Sequence, residues 1–165
     1  MRMGIDLVNI GVFVYPISRV ATGIIFLALI NFGCGLEDGS STSSEGPDTY
    51  VAGLEKTGTN GTFKVRLVES APIPRDTGIY TWTLEVVDMG GNPITGAEVH
   101  AEPLMLAHGH GTQPKYTDGT VGAIPGQYIL LEMDLFMPGV WHVIIRVENE
   151  SGDTDELAYD FDLEG

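Results

Sequence analysis

From Tyr50 to the C-terminus, apolar residues recur at every second position, and no feature of the chain constrains its fold more. Phe63, Val65 and Leu67 alternate with Lys64 and Arg66; Tyr80, Trp82, Leu84 and Val86 alternate with Thr81, Thr83 and Glu85. Val99 and Ala101 sit between Glu98, His100 and Glu102. Trp141, Val143, Ile145 and Val147 alternate with His142, Ile144 and Arg146, and Leu157, Tyr159, Phe161 and Leu163 with Ala158, Asp160 and Asp162. A period of two places one face of an extended strand on a core and the other towards water. Turn formers punctuate these runs at Asp88–Pro93, Asp118-Gly119, Pro125-Gly126 and Pro138-Gly139, and Glu148–Asp155 reads as a polar hairpin loop. Helical periodicity is absent after Cys34. The pattern predicts six to eight short strands in an antiparallel sandwich. Tyr128 has two readings, a tyrosine-corner residue at the start of a late strand or plain core.

Composition fits this picture and limits function. The 22 Gly and 9 Pro suit many tight turns. There are 23 Asp+Glu against 8 Lys+Arg, a formal net charge of -15, and all of these but Arg2, Asp6 and Arg19 follow Cys34. Such a domain repels phosphate backbones, which excludes nucleic acid as a natural partner. It also disfavours direct adsorption to an anionic membrane surface. Cys34 is the only cysteine, so the domain has no internal disulfide and no thiolate cluster.

The N-terminal part reads as an address. Residues 20–33 form an apolar run closed by small residues, with Arg2 and Arg19 ahead of it, the layout of a signal peptide. The run ends at Gly33-Cys34-Gly35 and resembles a lipobox, although Asn31 stands where an aliphatic residue is usual. The expected organisation is a signal peptide over residues 1–34 with lipid attachment at Cys34, a flexible polar linker over 35–49 and a β-sandwich domain over 50–165. An uncleaved membrane anchor and ordinary secretion are the alternatives, and all three place the domain outside the cytoplasm.

No Gly-x-Ser-x-Gly, phosphate loop, His-Glu-x-x-His or dinucleotide fingerprint is present, so the chain is not expected to be an enzyme. The unusual stretch is Met105-Leu-Ala-His108-Gly-His110-Gly111. Thioether sulfur favours Cu(I), imidazole suits copper in either oxidation state, and the glycines let the backbone turn both imidazoles towards one centre. Met137, before the Pro138-Gly139 turn, is the fourth candidate ligand and His142 a further one. The competing reading makes the methionines core filler and the His-Gly-His stretch a solvated loop, with His100 and His142 on polar strand faces.

Gly91-Asn-Pro-Ile-Thr-Gly-Ala-Glu-Val99, Met105-x-x-His108-Gly-His110-Gly111, Pro125-Gly-Gln-Tyr128 and Phe136-Met-Pro-Gly-Val-Trp-His-Val143 follow in order. In this order and spacing the chain resembles the YtkA-like domain and its FixH-like relatives over roughly residues 58–163. The resemblance implies an all-β, immunoglobulin-like antiparallel sandwich of about seven strands in a small exported or membrane-anchored bacterial domain. FixH-like relatives are associated with copper delivery, which implies copper as a cofactor on Met105, His108, His110 and Met137. The expectation is therefore a lipid-anchored binding module of the cell envelope, facing the periplasm or exterior, attached to the membrane through its lipid and meeting a protein partner there. A structural or protein-interaction module without metal is the alternative.

Overall fold

The computed structural model of the chain describes residues 46–165. The signal segment and Cys34 lie outside the described residues. Nine antiparallel strands build the domain, with no helix among the described residues. They are β1 (Leu54–Thr57), β2 (Phe63–Ala71), β3 (Gly78–Asp88), β4 (Glu98–Met105), β5 (His110–Gly111), β6 (Thr117–Val121), β7 (Gln127–Leu135), β8 (Gly139–Glu148) and β9 (Thr154–Leu163). Their hydrogen-bonded order is β1-β2-β3-β7-β6-β4-β8-β9, with β5 hairpinned onto β4. Because β1 and β9 also touch, the sheet wraps round one core and nearly closes like a barrel. Two strands beyond the expected seven or so are the short β1 and β5, of four and two residues.

The alternation read in the sequence is the alternation that is buried. Phe63, Val65, Leu67, Tyr80, Trp82, Leu84 and Val86 face inward from β2 and β3, and Trp141, Val143, Tyr159 and Phe161 meet them from β8 and β9. Burying a side chain of this size contributes roughly 1.5–3 kcal/mol. Trp82 stands edge-on to both Tyr159 and Phe161, at 5.8 and 5.7 Å between ring centroids, a favoured aromatic geometry. Its indole N–H is buried without a hydrogen-bond partner. The tyrosines place their hydroxyls on backbone. Tyr159 donates towards the carbonyls of Val65 and Leu54, which ties β9 to β2 and β1. Tyr128 donates to the Ile94 carbonyl and accepts from the Ala97 N–H, both at 2.9 Å. Those partners lie 31 and 34 residues upstream, so Tyr128 braces the β3–β4 connection and is not a tyrosine corner, whose partner is a few residues away.

Two local expectations are corrected. Asp118-Gly119 lies inside β6 and forms no turn. A Cβ at Gly119 would stand 3.1 Å from the Cβ and carbonyl oxygen of Val99, so this glycine permits the close approach of β6 to β4. Asp155, placed in a loop by its polarity, is a buried residue of β9. Its carboxylate accepts the backbone N–H groups of Asn60, Thr62, Phe63 and Glu156. Burial pushes this carboxyl up, but the four donors outweigh it and hold it below the ordinary carboxylate range. Gly58 makes the clip possible, since a Cβ there would occupy the carboxyl's place.

Candidate metal centre

Strand β4 ends at Met105, and the chain reverses through Leu106–Gly109 into β5. The Met105 carbonyl accepts both the His108 N–H (3.0 Å) and the Gly109 N–H (2.9 Å), a tight turn that needs Gly109 at φ 68°. Met105 and His110 are cross-strand partners across this hairpin. The two imidazoles stand side by side, 5.6 Å between ring centroids, and both are exposed. Two imidazoles bound through nitrogen to one ion at ordinary bond lengths have centroids no more than about 6.4 Å apart. The observed separation lies within that limit.

The second half of this end comes from the β7–β8 connection. Phe136 lies parallel to the His110 ring at 6.4 Å and edge-on to Trp141 at 6.0 Å, which leads from the imidazoles into the core. Trp141 donates its indole N–H to the Met137 carbonyl at 2.8 Å, fixing the Met137-Pro138-Gly139 turn. The Met105 methyl lies 3.1 Å from the position a Cβ would take on Gly139, so this turn packs directly over Met105.

The structure thus brings His108 and His110 together, with Met105 and Met137 at the same end of the domain. Met105 is 2% exposed and belongs to the core. Met137 is partly buried against that core. His142 is not part of the group. It faces outward on β8, opposite to Trp141, and its Nδ1 lies 2.6 Å from Asp160 Oδ1 on β9. Among the described residues no three His, Cys, Asp or Glu side chains gather in a way that would hold a metal ion. Among them, too, no helix is long and apolar enough to cross a membrane.

Sequence reasoning missed a second polar assembly, on the outer face of β4, β6 and β8. Glu102 is nearly buried there and bonds Lys115 at 2.8 Å and Arg146 at 2.5 Å. Burial raises the Glu102 carboxyl, and the two cations more than offset it, leaving it below its usual range. His100 bonds Asp118 at 2.7 Å across the β4–β6 pairing. A groove of about 320 Å³ lies against His100, Tyr116, Asp118 and Arg146. Both cations are occupied by carboxylates of the domain itself, since Arg146 also reaches Glu156 at 3.2 Å. Its only sequence signal was the placing of Glu102 and Arg146 at the polar positions of their strands, on faces read as solvated.

Comparison with known proteins gives one match. The family model described as YtkA-like aligns with residues 57–146, from the end of β1 to within β8, and so includes both loops of the histidine end. Neither the curated proteins nor the solved structures yielded a match. The alignment takes in more than half of the 165 residues, and the chain belongs to the YtkA-like family.

Proposed function

We propose that this protein is a small non-enzymatic binding module of the cell envelope that takes copper at the His108–His110 hairpin. The observation that carries the reading is the pair of exposed imidazoles, 5.6 Å apart on a hairpin whose turn is fixed by two backbone hydrogen bonds. Imidazole serves both oxidation states of copper, and the thioether of the partly buried Met137 at the same end is a softer ligand suited to Cu(I), whereas Met105 is packed in the core. In this reading the wrapped sheet is an immunoglobulin-like sandwich, and the domain hangs from a lipid on Cys34 by the polar linker that precedes it. The lipobox-like Gly33-Cys34-Gly35 and the Gly/Ser-rich stretch after it support that attachment.

Calorimetric titration of the full chain with Cu(I) and Cu(II), under chelator competition, tests the site. Stoichiometric tight binding is expected, together with its loss in the His108→Ala/His110→Ala variant. Equal binding by the variant overturns the metal reading. Incorporation of labelled fatty acid, lost on Cys34→Ala, tests the anchor. A second reading, a protein-interaction module without metal, draws on the exposed Leu106, Phe136 and Val140 around the same loops.

A further inference from the structure

We infer that the outer face of β6, β4, β8 and β9 carries a second binding site, a groove that takes a neutral sugar chain. The site is separate from the histidine hairpin and does not rest on its reading as a metal centre.

Three observations carry it. The first is shape. A groove of about 360 Å³ lies against Thr59, Asn60, His100, Arg146, Glu148 and Glu156. The groove of about 320 Å³ beside Tyr116 and Asp118 shares His100 and Arg146 with it. The two therefore meet over these side chains and run across the strands. Each falls within the range of about 300–1,000 Å³ usual for small-molecule sites.

The second observation is the chemistry of the floor. Strand register lays four side chains in one row: Asp118 opposite His100, His100 opposite Arg146, and Arg146 opposite Glu156. His100 bonds Asp118 at 2.7 Å, and Arg146 reaches Glu156 at 3.2 Å while also holding Glu102. An anion entering here must displace a carboxylate that Arg146 already holds. A cation meets the Arg146 guanidinium at the centre of the row. A neutral ligand faces neither cost. A sugar hydroxyl donates and accepts at once, so it can bridge the free lone pairs of Asp118 and Glu156 and the remaining N–H groups of Arg146.

The third is the walls. Tyr116 stands at one end, 44% exposed, and offers an apolar ring beside polar groups. Such a ring suits a ligand with both C–H faces and hydroxyls. At the other end Asn60 is fixed, its backbone N–H on Asp155 and its side-chain amide on the Thr154 carbonyl at 3.1 Å. A site built on paired strands and a clipped loop is held in place before its ligand arrives, so little ordering is left to oppose binding.

Heteronuclear NMR of the full chain, titrated with chitohexaose, cellohexaose and maltohexaose, reads the groove residue by residue. The expected result is a shift of the Asn60, His100, Tyr116 and Arg146 amides with at least one of the three, and no shift at His108 or His110. The Tyr116→Ala variant leaves the row of paired charges in place and is expected to weaken that binding about ten-fold with an unchanged melting temperature. Equal binding by Tyr116→Ala overturns the assignment of the groove. Groove shifts with spermine or inorganic pyrophosphate, and with none of the sugars, overturn the neutral ligand class. No shift with any of these probes overturns the site.

Discussion

The two ends of the β8–β9 hairpin are built to opposite rules. At the Glu148–Thr154 end side chains bond to backbone. Asp155 takes four backbone N–H groups, and the Asn149 side chain accepts the N–H groups of Ser151 and Asp153. At the Gly139 end, Phe136 and Val140 are exposed, and so are the two imidazoles. The difference shows a division of labour. Long-range polar contacts close the fold at one end, and the other is left with chemistry unspent. Loops that bind tend to be drawn from such less committed regions.

The sharpest break of this contrast is Trp141→Ala, because Trp141 belongs to the core and also holds the histidine end. Unfolding in denaturant is expected to show a loss of about 3–5 kcal/mol. Copper affinity should fall with it, since the Met137 turn loses its indole donor. Asp155→Ala is the next largest. It strands several backbone donors at the far end and should cost about 2–3 kcal/mol by the same measurement. Copper binding should be unchanged, and a parallel loss of binding would show that the two ends are not independent.

Acid sharpens the same point. The Asp155 carboxyl is held below its unfolded value, so its contribution is fully present above about pH 4. That contribution is lost as pH falls through the depressed folded value. Thermal melts of the wild type should therefore steepen their decline below pH 4, and those of Asp155→Asn should decline less. The smallest effect on stability belongs to His108→Ala/His110→Ala, within about 0.5 kcal/mol because both side chains are exposed. A larger loss would mean that the hairpin is structural and that the division between the two ends is false.

Much of the fold was legible because period-two burial is written directly in the chain. β2, β3, β8 and β9 each bury the residues their alternation marks. β7 was not legible, for a physical reason. Leu131 and Glu132 both face solvent, Glu132 adopts φ 57°, and the pairing with β3 slips between Tyr80 and Trp82. A bulge of this kind inserts a residue and erases the alternation on which the reading depends. β6 was lost differently, through a glycine chosen for close packing that looks in sequence like a turn. At the histidine end the spacing His108-Gly-His110 marked two imidazoles on one turn. It did not foretell which way Met105 faces, because a thioether ligand and a core methionine look the same until the strand's register is known.

The clamp at Asp48 has a mechanical meaning. Its N–H bonds the Asp160 carbonyl, and its carboxylate accepts the Asp160 N–H at 2.8 Å and Lys56 of β1 at 2.6 Å. The chain that leads into the domain is therefore fastened to β1 and β9 together, the two strands that close the wrapped sheet. Tension on that leading segment enters at the seam through both strands and is shared between them, so a tug does not simply peel the first strand away.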